Sequence, residues 1–217
     1  SSVSHELRTP LTAITGWAET LAYDEAIQGD SRRGIEIITR EAGRLTKMVE
    51  ELLEFTRIQD GRFTLHVSTV ELPALVEDCL YTYNELFRHE GLAVTYVSPE
   101  EDLPEIPGDP ERLSQVFLNI LDNACKYGKN GKKIDVSITH DETNVSVCIR
   151  DYGPGIPPAE LPQVKKKFFK GSSKERGSGI GLAVCDEIVT RHNGTLDIAN
   201  AAGGGVRVTV TLPRKAS

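Results

Sequence analysis

Two apolar stripes in the first sixty residues constrain this chain more than any other feature. Val3, Leu7, Leu11, Ile14, Ala18 and Leu21 recur in steps of 4, 4, 3, 4 and 3; Ile35, Ile38, Ala42, Leu45, Val49 and Leu52 recur in steps of 3, 4, 3, 4 and 3. Such steps place side chains on one face of a helix with near-heptad period. The polar stretch 24–33, with Gly29, interrupts the pattern, so the segment is predicted to be an αα-hairpin. A hairpin of this kind leaves a continuous apolar seam in water. Two copies bury it as a four-helix bundle, which makes a homodimer the expected state. The alternative is that the seam packs on the rest of the same chain.

Beyond residue 62 the texture changes. Alternation over 62–67 suggests a strand, 72–89 a helix with Pro73 in its first turn, and 92–97 another strand. Asp109-Pro110-Glu111 combines an N-cap, a first-turn proline and a first-turn acid. It starts a helix expected to reach about Tyr127. Segments 133–139 and 145–150 read as paired strands and 180–192 as a helix ended by Gly194. Segments 196–199 and 206–212 read as a hairpin around Gly203-Gly204-Gly205. The expected class is α+β: a helical hairpin over 1–58, a linker over 59–63 with an Asp60-Gly61 turn, and a larger domain of helices and mostly antiparallel strands over 64–217.

The net charge of -7 argues against nucleic acid as a partner. Cys79, Cys125, Cys148 and Cys185 are widely spaced without a C-x-x-C pair, so they read as buried free thiols. No apolar run approaches the ~20 residues of a bilayer span. The chain starts without Met, inside an amphipathic pattern. It reads as a fragment of a longer protein, and any membrane anchor or sensor would lie upstream.

Five polar constellations stand out. His5 lies ~200° around the helix from Val3 and from Leu7, so it points away from the seam. A neutral imidazole there has a free lone pair near pH 7. Glu6 can accept the proton of the other ring nitrogen, and Pro10 should kink the helix just beyond. On the helix starting at Asp109, the apolar face Leu113, Phe117, Ile120 and Ala124 is opposed by Gln115, Asn119, Asn123 and Lys126. Amide oxygens suit Mg²⁺ and an ammonium suits phosphate.

Asp151-Tyr152-Gly153-Pro154-Gly155 follows a predicted strand. Gly153 and Gly155 allow a tight turn, and the Asp151 carboxylate can accept from an exocyclic amine such as adenine's. Gly177-Ser178-Gly179-Ile180-Gly181-Leu182 opens a helix whose N–H groups favour phosphate. It is neither a Rossmann fingerprint nor a Walker A loop. Between these lies the basic stretch Lys165-Lys166-Lys167-Phe168-Phe169-Lys170, long enough to be a lid. Taken singly, the histidine, the asparagine face and the two glycine boxes are more often ordinary surface or turn features, and the basic stretch is as often a solvated loop.

Ser4-His5-Glu6-Leu7-Arg8-Thr9-Pro10-Leu11 closely resembles the phosphoacceptor box of bacterial sensor histidine kinases. Asn119-Ile120-Leu121-Asp122-Asn123-Ala124-Cys125-Lys126-Tyr127 resembles their N box, and the two glycine boxes and the Phe stretch follow in family order. The resemblance spans residues 1–212. It implies a dimeric four-helix bundle followed by the α/β sandwich shared with gyrase, Hsp90 and MutL ATPases. By that resemblance His5 is phosphorylated, Glu6 is its general base, and Thr9 with Glu6 serves a phosphatase reaction. Asn123 binds Mg²⁺ with support from Asn119, and Lys126, Tyr127, Lys167 and Lys170 meet the nucleotide. The acceptor of the phosphate is a response-regulator receiver domain. Typical members have a Phe where Lys165 stands, which leaves the lid's packing open. Hydrolytic relatives carry a Glu where this chain has Asn119, which favours transfer over hydrolysis.

Overall fold

The computed structural model describes residues 2–59, 63–99, 103–172 and 178–215. The chain divides into two compact units, Ser1–Phe63 and Thr64–Ser217.

In the first unit, α1 (Ser2–Ala22) and α2 (Gly29–Gln59) pack against each other. The turn between them is set by Asp24, whose Oδ1 accepts from Ala26 N at 2.9 Å, and by Gly29 at φ +62°. Arg8 Nε lies 3.8 Å from Glu50 Oε1 across the pair. The helix continues through Pro10. The two stripes divide by depth. Ala18 and Ala42 are buried and Leu11, Ile35 and Val49 are half-buried. Leu7, Ile14, Leu21, Ile38, Leu45 and Leu52 stay 37–50% exposed. On each helix those exposed positions are spaced by seven.

The second unit is a sheet covered on one face by helices. Its strands are β1 (Ser68–Val70), β2 (Ala93–Val97), β3 (Ile106–Gly108), β4 (Lys133–His140), β5 (Asn144–Asp151), β6 (Thr195–Asn200) and β7 (Val206–Pro213). The helices are α3 (Leu72–Glu90), α4 (Pro110–Gly128) and α5 (Gly181–Arg191). The main sheet runs β2-β4-β5-β7-β6, with β2 parallel to β4 and the other pairs antiparallel. Alternation along the strands buries Ile134, Val136, Ile138, Val145, Val147, Ile149, Val208, Val210 and Leu212. These meet Val116, Phe117, Ile120 and Leu121 of α4 and Ile188 and Val189 of α5. Each such side chain contributes roughly 1.5–3 kcal/mol by leaving water.

Three local expectations fail. The strand expected at 62–67 lies instead at Ser68–Val70, paired antiparallel with β3; Arg62 is outside the described residues. The cause is visible at His66, whose N–H goes to Asp109 Oδ2 at 2.8 Å rather than to a neighbouring strand. Strand β3 was not anticipated, because three residues containing Pro107 carry no alternation. At the end of α5 the left-handed residue is Asn193 (φ +57°), not Gly194. Gly194 is needed for closeness instead, since a Cβ there would meet Thr211 O at 2.4 Å.

Candidate nucleotide site and phosphoacceptor helix

Helix α4 is fixed at its start by a buried polar knot. Asp109 Oδ1 accepts from Arg112 N at 3.1 Å, its Oδ2 accepts from His66 N, and its own N–H donates to His192 Nε2 at 2.9 Å. His192 Nδ1 is 2.8 Å from Ile188 O, so the imidazole donates there and accepts from Asp109. Burial alone would raise the Asp109 carboxyl. The N–H bonds from His66 and Arg112, with the charge of Arg112, outweigh it and hold it below its ordinary value.

With that end fixed, α4 buries Leu113, Val116, Phe117, Ile120, Leu121, Ala124, Cys125 and Gly128. This is wider than the four residues expected, and it leaves Gln115, Asn119, Asn123 and Lys126 half-buried on the remaining face. Lys126 Nζ donates to Asp122 Oδ2 at 2.7 Å, so its ammonium is already engaged by a neighbour one turn back. Cys125 and Cys79 are closed thiols: burial pushes them to about 12 and about 11.

Asp151 ends β5 against the last turn of α4. It is a buried carboxylate, 6% exposed. Its Oδ1 accepts from Gly153 N at 2.8 Å and from Val206 N at 3.2 Å. Among the described residues nothing bonds Oδ2. Burial pushes this carboxyl up, and the two N–H bonds and Arg150 bring it only part of the way back. The approach of α4 to the loop needs glycines. A Cβ on Gly128 would stand 2.4 Å from Asp151 Cβ, and one on Gly153 would stand 2.4 Å from Tyr127 O. Tyr127, Gly128, Asp151 and Gly153 are therefore brought together.

Tyr152 meets two cations, with the Arg150 guanidinium 4.3 Å and Lys133 Nζ 4.8 Å from its ring centroid. Its hydroxyl donates to Asp135 at 2.5 Å.

The lid begins close to the second glycine box. Phe168 takes φ +59° and is exposed, and a Cβ on Gly179 (φ +76°) would meet Phe169 O at 2.7 Å. Lys167 and Lys170 are exposed. Lys165 is bound to the body of the domain, with Nζ 2.8 Å from Asp186 Oδ1 on α5 and 3.0 Å from Leu196 O on β6. A lysine where the resemblance expects phenylalanine thus anchors the lid by polar contacts. Gly181 and Leu182 open α5, where the first N–H groups have no intrahelical acceptor. Space around Gly181 is open. Gly177 lies outside the described residues.

In the first unit, His5 and Glu6 lie within α1, and their side chains are outside the described residues. Thr9 is exposed one turn on. Sequence reasoning missed the roles of Gly128, of Asn200 and of Gly205, on which a Cβ would stand 2.0 Å from Asp151 O, and the Asp109–His192 bond. Gly128 could have been suspected from its place just past the asparagine face. The others join segments with no sequence proximity.

Neither Asn119 nor Asn123 belongs to an acidic or histidine cluster, and the described residues contain no group of three His, Cys, Asp or Glu placed for a metal. Amide oxygens on a half-buried face fit Mg²⁺, which keeps waters and phosphate oxygens as most of its ligands. No described helix is long and apolar enough to cross a membrane.

Comparison with known proteins agrees with this geometry. Residues 108–216 match the family described as histidine kinase-, DNA gyrase B-, and HSP90-like ATPase, and residues 1–61 match the His Kinase A (phospho-acceptor) domain. Signal transduction histidine-protein kinase BaeS of Escherichia coli (strain K12) is 32% identical, over 98% of this chain and 46% of its own length. Among solved structures, full-length ShkA in complex with AMPPNP superposes with a TM-score of 0.82 at 22% identity, over 100% of this chain and 46% of that one. Histidine kinase ThkA in complex with response regulator protein TrrA gives a TM-score of 0.71 at 27% identity, over 98% of this chain and 60% of that one. The chain spans less than half the length of the curated relatives it matches.

Proposed function

This chain belongs to the two-component sensor histidine kinases, and on that premise we propose that it binds ATP with Mg²⁺ and transfers the γ-phosphate to its own His5. The observation that carries the nucleotide half of this reading is Asp151. Its carboxylate is buried and aimed by two N–H bonds on Oδ1, while Oδ2 faces no partner among the described residues. An adenine exocyclic amine completes that set. Gly153 and Gly155 let the base approach the backbone, and Tyr127 flanks the same spot.

Asn123, with Asn119 beside it, would hold Mg²⁺, which would neutralise charge on the phosphate oxygens. The N–H groups from Gly177, Gly179, Gly181 and Leu182, with Lys167 and Lys170 of the lid, suit the phosphate chain. Lys126 joins them once its ammonium turns from Asp122. The imidazole nitrogen of His5 then attacks phosphorus in line as the bond to the ADP oxygen breaks. Glu6 accepts the proton lost from the other ring nitrogen. Positioning and charge neutralisation supply most of the acceleration in such transfers.

The phosphate passes next to an aspartate of a receiver domain. The relative captured with its response regulator supports a partner of that class. Thr9 and Glu6 would position water to hydrolyse the regulator's aspartyl phosphate, releasing inorganic phosphate. The heptad-spaced residues left exposed on α1 and α2 support a homodimer through the hairpin. ATP use and four free cysteines suit the cytoplasmic side of a membrane-anchored sensor.

The test is incubation with γ-labelled ATP and Mg²⁺. Acid-labile, base-stable label on wild-type protein, absent from His5→Gln and from Asn123→Asp, is the expected result. ATP turnover without labelled protein would instead identify a hydrolase.

A further inference from the structure

The loop after Asp151 is held by a side chain that the reading of the motifs did not touch. Asn200, the last residue of β6, donates from Nδ2 to Ile156 O at 2.7 Å and accepts at Oδ1 from Ile156 N at 2.8 Å. Both backbone groups of one residue are thus satisfied by one side-chain amide, 44 positions away in sequence. The pair imitates a rung of sheet where no strand pairing exists. Only an amide has the donor and the acceptor in the spacing this needs: a carboxylate lacks the donor and a hydroxyl lacks the span.

Three further observations tie this clamp to the nucleotide loop. Gly155, just before Ile156, takes φ +80°, and a Cβ on it would come within 2.9 Å of Asn200 Oδ1. The second glycine of the D-x-G-x-G box therefore serves the clamp as well as the turn. Asn200 stands opposite Val206 in the β6–β7 pairing, and Val206 N–H is one of the two donors that aim Asp151. One end of one hairpin thus grips both ends of the loop, Asp151 through Val206 and Ile156 through Asn200. Finally, Asn200 is exposed. Hydrogen bonds in water add little to folding stability, so the geometry has more to offer the loop than the core.

We propose that Asn200 is a positioning residue for nucleotide binding: it fixes the loop 152–156 by clamping the Ile156 backbone, so that the base meets Asp151 without first ordering the loop. The proposal rests on the reading of Asp151 as the adenine acceptor. It concerns the base end of the ligand, not the phosphate end.

The test uses the full chain as wild type, Asn200→Ala, Asn200→Asp and Asp151→Asn. Calorimetric titration with Mg-ATP and, separately, with Mg-tripolyphosphate is combined with the thermal midpoint and the exchange rate of the Ile156 amide. Asn200→Ala is expected to weaken Mg-ATP about tenfold, the scale of one to two lost hydrogen bonds. It should leave Mg-tripolyphosphate unchanged, speed Ile156 exchange and shift the midpoint little. Asn200→Asp, which keeps the acceptor but not the donor, should fall between.

Unchanged Mg-ATP affinity in Asn200→Ala, with Asp151→Asn weakened, would overturn the positioning role alone. Equal loss for both ligands together with a collapsed midpoint would make Asn200 a support of the fold and also overturn it. Asp151→Asn with undiminished Mg-ATP affinity would remove the nucleotide reading itself, and this proposal with it.

Discussion

In the sandwich, Leu113, Val116, Phe117, Ile120 and Leu121 of α4 lie against the sheet with at most 1% of their surface in water. In the hairpin, α1 and α2 carry equally regular apolar stripes, yet six of the eleven stripe positions with described side chains remain more than a third exposed. The difference is geometric. A sheet face is wide enough for three helices to cover it, so one chain closes the core. Two helices side by side touch along a single line, and the residues a step away have nothing to meet. On the proposed function the consequence follows the same division: the nucleotide site would be assembled within one chain, whereas the hairpin that carries His5 would be completed by a second copy.

The sharpest way to break this comparison is to cut the two cores equally. Phe117→Ala should cost roughly 3–5 kcal/mol and lower the unfolding midpoint of the ATP-binding unit in a denaturant titration. Leu45→Ala, on a residue already 45% exposed in one chain, should cost a single hairpin far less and act instead on association. Equal losses at high dilution would mean the hairpin has a closed core of its own.

Asp151→Asn comes next. Losing a hydrogen bond to a charged group is worth roughly 1.5–3 kcal/mol, so Mg-ATP affinity should fall by about 10- to 150-fold. The pH dependence has a definite sign. Burial raises the Asp151 carboxyl in the folded protein, so its protonation favours the ligand-free fold, and stability drops as pH rises through the raised value. ATP prefers the ionised form, whose Oδ2 can only accept. Binding should therefore weaken on acidification while the pH is still above the ordinary carboxylate value of about 4, and Asp151→Asn should flatten that dependence.

Asp109→Ala removes an N-cap and the acceptor of the His66 N–H, and should cost about 1–2 kcal/mol. Here the carboxyl is lowered, so its contribution is full above the ordinary carboxylate value and is lost as pH falls through the lowered one. Smallest is Lys165→Met. The Lys165–Asp186 pair is exposed and worth at most ~1 kcal/mol. The thermal midpoint should barely move, while amide exchange over 164–170 should speed up as the lid loses its anchor.

How much of this was legible in sequence follows the range of the interactions. The hairpin, the Asp109-Pro110 helix start and the paired strands β4 and β5 could be read because periodicity and capping are local. The polar face Asn119–Asn123 was legible for the same reason, as i,i+4 spacing on a helix. What was not legible lies between segments. The strand expected at 62–67 lost its His66 N–H to Asp109, 43 residues on. Gly194 looked like a helix stop and is a close contact with β7. Asn200 carries no pattern at all, since its meaning depends on where Ile156 comes to rest.

The most direct measurement is sedimentation equilibrium of the full chain at micromolar concentration, with Mg-ATP affinity determined on the same samples for wild type and Leu45→Glu. A charge at that seam position should disturb only the copy-to-copy contact. A wild-type dimer, turned by Leu45→Glu into a monomer that binds Mg-ATP as tightly as before, is what a self-contained nucleotide site beside a half-covered hairpin predicts. A wild-type monomer, or a Leu45→Glu monomer that no longer binds Mg-ATP, would contradict it.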